Sequence, residues 1–168
     1  GGLSEVRSGR LNQKEAIFTR MLDKDSKFGY DNGLKSLLPT LFDFGLKGYT
    51  FVLPDMIGGN SYGDRPNREL YIRWLQANAF MPSIQFSILP WEYDPEVVSI
   101  ARGILSIRNE FAGKIIEAAE FSVLDGTPIN RPMWWYDPLD TKTFVIDNQY
   151  MLGDDILVAP VLDEGATS

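Results

Sequence analysis

The 168 residues carry 23 acidic and 16 basic side chains, a formal charge of −7, and 44% of them are apolar. That balance describes a globular chain able to bury a real core, and its negative charge argues against a nucleic-acid or anionic-membrane partner. Cysteine and histidine are both absent, which excludes disulfides, thiol nucleophiles, sulfur- or imidazole-bound metals and the Ser-His-Asp triad. Acid–base chemistry must therefore fall to Asp and Glu, with Lys or Tyr behind them. No apolar run approaches the roughly 18–20 residues of a membrane span. No signal peptide is visible, and no cofactor is expected. Gly1 in place of Met, and an end that directly follows a strand-like run, read as the ends of a piece of a longer chain.

In chain order, "AIFTRML" (16–22) is an apolar run that opens into "DKDS", with Asp23 and Asp25 on either side of Lys24. "GLKSLLPTLFDFG" (33–45) sets Leu34, Leu37, Leu38, Leu41 and Phe42 at helical spacing, with Asp31 or Asn32 as caps, Gly45 as a stop and Pro39 as a kink. "GYTFVL" (48–53) predicts a buried strand. "NRELYIRWLQANAF" (67–80) predicts a helix with Leu70, Trp74, Leu75 and Ala77 on one face, and "PSIQFSIL" (82–89) another strand. A single helix is expected from Pro95 to Glu120, its stripe running from Val97 to Ala118. Beyond "LDGTP" the texture turns β-like, in "INRPMWWYDP", "TFVIDNQYML" and "DDILVAPVL". Alternating strands and helices followed by a β-only tail predict parallel β/α units with a second element behind them.

In such an architecture chemistry collects where strands end. Asp55, after "YTFVL", is one such carboxylate, and Asp23 and Asp25 are the others. Taken alone, each also suits a turn residue or a solvated loop charge. Phe86, Trp91 and Tyr93 follow the last barrel-type strand and could stack on a sugar or simply pack. Trp134 and Trp135, if in a strand, point to opposite faces. A calcium site built from Asp154, Asp155 and Asp163 lacks the required ligand spacing.

Three stretches in order resemble glycoside hydrolase family 31, the retaining α-glycosidases. "GYTFVLPDMIGGN" is similar to the family's G-[IY]-x-F-x-G-x-D-[IV]-G-G-F, and "NRELYIRWLQANAFMP" to P-E-L-x-x-R-W-x-Q-x-G-A-F-x-P. "GTPINRPMWW" through "LVAPVL" resembles G-x-P-x-x-R-P-L followed by L-V-A-P-V. The chain departs from the pattern at Ser87, where the family has a sugar-touching His, and at "LDKDS", where it has W-x-G-D-N. These departures look most like the branch of glycosidases that acts on α-galactosides.

The resemblance implies an α/β fold. Residues 1–122 would form the C-terminal part of a (β/α)8 TIM barrel, and residues 123–168 the start of an all-β sandwich. It implies hydrolysis of terminal α-glycosidic bonds, with an oligosaccharide or glycoside as substrate and no metal. Asp25 takes the place of the general acid/base, with Asp23 as the other candidate. Arg7, ahead of Arg10, takes the place of the sugar-binding arginine, and Asp55, Ser87 and Trp91 line the subsite. The nucleophilic Asp belongs to a segment before residue 1, so the chain alone is expected to be inactive. The alternative is a carbohydrate-binding protein of the same fold without catalysis.

Overall fold

The computed structural model describes residues 4–167. Its first three strands, β1 (Glu5–Val6), β2 (Phe18–Arg20) and β3 (Val52–Leu53), are short and parallel. Glu5 pairs with Phe18, and Thr19 with Val52, so β2 lies in the middle. A parallel bridge from Met56 to Gln85 adds a fourth segment beside them. All four run in one direction, so the loops beginning at residues 7, 21, 54 and 86 share the carboxyl end.

Parallel neighbours need crossovers, and two helices supply them. Helix α1 (Leu37–Leu46) returns the chain from β2 to β3, and α2 (Arg68–Asn78) from β3 to Gln85. The apolar spacing of α1 is realised, since Leu34, Leu37, Leu38, Leu41 and Phe42 are all buried. Pro39 falls in the helix's first turn, where a missing N–H has no partner to lose, so it does not need to kink the helix. Gly45 does not stop α1. It lies inside the helix, where a Cβ would sit 3.0 Å from Pro128, and the chain turns at Gly48 with φ +81°. Neither Asp31 nor Asn32 caps the helix; Ser36 occupies that position. Helix α2 starts at Asn67, whose side chain accepts from the Leu70 amide at 2.8 Å, and it buries Leu70, Tyr71, Trp74, Leu75 and Ala77.

The expected strand at 82–89 shrinks to the Gln85 bridge. Pro82 lacks a donor, and Ser83 instead donates its hydroxyl to the Val52 carbonyl at 3.1 Å. The expected helix over 95–120 is two helices, α3 (Pro95–Glu110) and α4 (Ala112–Asp125), meeting at Phe111 with φ −94° and ψ 7°. The Phe111 ring packs edge-on against Phe80, at 5.6 Å between centroids. The break lets α4 turn Ile115 and Ala118 onto Ile129 and Leu152. The boundary expected at 122–123 falls inside α4, which ends at Gly126 in the left-handed region.

The tail is an antiparallel sheet of β4 (Asn130–Arg131), β5 (Tyr150–Leu152) and β6 (Ile156–Val158). Much of its β-like sequence is not strand, because residues 133–135 and 141–145 form short 3₁₀ helices. Trp134 and Trp135 therefore lie beside each other, with centroids 6.3 Å apart, rather than on opposite faces of a sheet. Tyr150, Val158 and Leu162 join the core formed by α1, α2 and α3.

Candidate active site

Asp55 organises the carboxyl end. It follows β3 in the left-handed region, with φ +66°, and is fully buried. One carboxylate oxygen accepts from Arg20 Nη2 at 2.7 Å, and the other from the Lys24 amide and Asn60 Nδ2, each at 2.6 Å. These donors come from the end of β2, the loop after it and the loop after β3. Asp55 thus ties two loops together and exposes no surface.

The loops are joined at further points. The Asn60 amide donates to the Lys24 carbonyl at 2.8 Å, and the Ser61 amide to Ser26 Oγ at 2.8 Å. Gly59 passes so close that a Cβ there would lie 2.9 Å from the Asp25 backbone. Its φ of +81° also suits glycine, so the second glycine of "IGG" is required twice over.

Asp23, beside this framework, has a partner on each of its carboxylate oxygens. Arg7, from the end of β1, donates to one of its oxygens, and the Tyr62 hydroxyl donates to the other. Arg20 Nη2 lies 3.9 Å away. The Asp23 side chain keeps 26% of its surface exposed, enough to reach a ligand. The Tyr62 hydroxyl first, and then the Arg7 and Arg20 charges, hold its carboxyl below the ordinary carboxylate range, against the opposing pull of desolvation.

Asp25 points elsewhere. It pairs with Lys27 at 3.1 Å and lines a cleft of about 350 Å³ with Ser26, Lys27, Tyr62, Asp64 and Arg65. Tyr62 is a wall of that cleft and a partner of Asp23 at once. Arg10 is exposed, as is Ser87, and Trp91 stands 68% exposed in the turn at residues 90–92. The structure therefore brings together Arg7, Asp23 and Asp55, the last through Arg20. Nothing in the sequence marks Arg20 or Tyr62 beyond an arginine ending an apolar run and an aromatic in a post-strand loop. Asp154 and Asp155 are engaged by Arg131 and Lys114. Among the described residues no cluster of carboxylates could hold a metal ion.

Residues 23–113 match the sequence model of the glycosyl hydrolases family 31 TIM-barrel domain, which is more than half of the chain. The chain belongs to glycosyl hydrolase family 31. Residues 126–168 match the C-terminal domain of that family. The parallel β/α units are thus the C-terminal part of the family 31 barrel, and the antiparallel tail begins the β domain that follows.

Two curated relatives share much of the sequence. Myogenesis-regulating glycosidase of Mus musculus is 46% identical over 97% of this chain and 24% of its own length. The SITS-binding protein of Tetronarce californica is 37% identical over 89% of this chain and 22% of its own. Among solved structures, a cycloalternan-forming enzyme from Listeria monocytogenes, in complex with a pentasaccharide substrate, superposes with a TM-score of 0.88. It is 28% identical, over 98% of this chain and 17% of its own. The chain spans less than a quarter of the length of each of these relatives.

Proposed function

We propose that the protein hydrolyses terminal α-glycosidic bonds with retention of configuration, and that Asp23 is the carboxyl that protonates the departing oxygen. The observation that carries the reading is the placement of Asp23 at the carboxyl end of the parallel strands. There it is held between Arg7 and Tyr62 and opens beside a polar cleft. Membership of family 31 supports it, as does the name glycosidase carried by the 46% identical relative.

In this reading a proton passes from Asp23 to the glycosidic oxygen as the electron pair of the C1–O bond moves onto that oxygen. A second carboxylate, an Asp assigned to a preceding segment of the intact protein, bonds to C1. Asp23, now ionised, then takes a proton from the water whose oxygen displaces that carboxylate. A neighbouring carboxylate about 5–5.5 Å away also raises the proton affinity of Asp23, which Tyr62 and the two arginines otherwise depress. Arg7 binds a sugar hydroxyl, Asp55 holds Arg20 in register, and Ser87 and Trp91 stand at the rim. Asp25, the other candidate acid, contacts the leaving group from the cleft wall. The sugar is an α-galactoside; support for this finer step is the branch resemblance of "LPDMIGGN", "PWEYD" and "RPMWW", with Ser87 replacing a His. The barrel ends, and the β domain begins, at the close of α4, near the 122–123 boundary read from the sequence.

A non-catalytic sugar-binding protein is the second reading. The depressed proton affinity of Asp23 favours it, as does a 37% identical relative named for binding rather than catalysis. Kinetics of the intact protein separate the two. Asp23→Ala is expected to slow an alkyl α-galactoside by about 10²–10⁴-fold, the usual worth of general acid catalysis. Normal turnover by that variant, together with loss in Asp25→Ala, moves the role to Asp25. Sugar binding without turnover by the unaltered protein selects the second reading.

A further inference from the structure

Lys24 lies between the two loop carboxylates, and the chemistry above leaves its ammonium unused. The residue is only 4% exposed, an unusual place for a lysine. Its Nζ has three N–H bonds to satisfy, and three neutral acceptors meet it: Ser36 Oγ at 2.8 Å, Thr40 Oγ1 at 2.9 Å and the Ser36 carbonyl at 3.4 Å. All three sit at the start of α1, where a cation gains nothing from the helix dipole. Burial lowers the proton affinity of the amine, against the pull of Asp55 and Asp25. A cation kept at such a place needs a reason.

Its main chain supplies one. The peptide that joins Asp23 to Lys24 is clamped at both ends: Asn32 Nδ2 donates to its carbonyl at 2.9 Å, and its N–H donates to Asp55 at 2.6 Å. The Lys24 carbonyl accepts from Asn60 N at 2.8 Å and from Asn60 Nδ2 at 3.2 Å. Both peptide planes flanking Lys24 are thus held, one of them beginning at the Asp23 carbonyl, and the ammonium ties the same stretch of loop to α1.

We propose that Lys24 is a positioning residue, its ammonium seated in the Ser36–Thr40 hydroxyl cage so that Asp23 is aimed at the oxygen of the leaving group. The proposal rests on the reading of Asp23 as the acid. A displacement of about 1 Å in a catalytic group can cost on the order of 100-fold in rate. That loss should fall where protonation matters, on poor leaving groups, and spare substrates that leave unaided.

The test uses the intact protein and compares methyl and phenyl α-galactosides with α-galactosyl fluoride, with the α-glucosides as a parallel series. Lys24→Met is expected to lower kcat/KM for the alkyl glycoside at least tenfold more than for the fluoride. The cage variant Ser36→Ala/Thr40→Val, which keeps the lysine, should show the same asymmetry to a smaller degree. It also serves as the reading if Lys24→Met does not fold. Equal losses across the series, or none, overturn the positioning role provided that Asp23→Ala retains its leaving-group dependence. If Asp23→Ala shows no such dependence, the acid assignment itself fails and the role of Lys24 falls with it.

Discussion

Asp55 adopts φ +66°, a conformation that costs a residue with a Cβ about 1 kcal/mol or more. Three hydrogen bonds to a carboxylate in a fully buried site hold it there. Asp55→Asn should expose how much depends on them. Donors face both oxygens, so whichever way the amide turns, its NH2 group meets a donor. The expected cost is about 1–3 kcal/mol of stability, with a parallel loss of activity as Arg20 and Lys24 are released. Thermal unfolding and kinetics on the same sample check this, and an unchanged Tm would count against it. Lys24 calls for the opposite experiment. Ser36 and Thr40 keep partners without it, since their hydroxyls donate to the Gly33 and Ser36 carbonyls at 2.7 Å. Lys24→Met is therefore expected to be at least as stable as the parent at neutral pH. The sign of the pH dependence is set by burial, which lowers the folded-state proton affinity of Lys24 below the unfolded value. Between those two values the unfolded chain binds more protons, so the parent gains stability as pH rises and the advantage of the variant shrinks toward pH 10 or so. An advantage that grows with pH would contradict the assignment. The sequence placed Asp55 and the pair Asp23/Asp25 at strand ends. It could not show that Asp55 is closed off by three donors while Asp23 and Asp25 keep exposed surface, because that depends on loops meeting across more than 30 residues.

At the scale of elements, the helices were legible because their apolar stripes are long and regular. Leu37, Leu38 and Leu41 in α1, and Leu70, Trp74 and Leu75 in α2, are buried as the spacing requires. The strands were legible as segments and not as lengths. Their apolarity reflects burial at the barrel wall, which extends past the two or three residues that form ladders. The break at Phe111 was hidden because the apolar stripe runs through it. The bracing of the turn after α2 was hidden as well. The carbonyls of Ala79, Met81 and Pro82 have no helix to close on, and Arg108 of α3 reaches all three at 2.7–3.1 Å. Asn130 takes the Phe80 carbonyl between them at 3.0 Å. In sequence, Arg108 is merely a charge near the end of a helix. Arg108→Met keeps the aliphatic length and leaves three carbonyls without their donor, so a loss of roughly 2 kcal/mol or more is expected. Chemical denaturation reads it directly, and a loss under half of that would mean water replaces the guanidinium.

At the scale of the molecule, the question is whether the β tail is an appendage or part of the barrel's core. Its residues answer by where they are buried. Tyr150 of β5 is fully buried, and its hydroxyl donates to the Ala77 carbonyl of α2 at 2.9 Å. Val158 and Leu162 lie in the same apolar cluster as Trp74, Val97 and Ala101. The far end of the tail is held too, because the Gly165 amide donates to Glu69 at 2.8 Å. Among the described residues, the short strands β5 and β6 of the tail bury apolar side chains in the same cluster as the barrel helices. Barrel helices and tail should therefore open together. Tyr150→Phe removes one buried hydrogen bond, worth about 1 kcal/mol net, without creating a cavity. Native-state hydrogen exchange should then show amide protection falling by the same factor in α2 and in β5. A fall confined to β5, with α2 unchanged, would show that the tail unfolds alone and that the shared core does not couple the two.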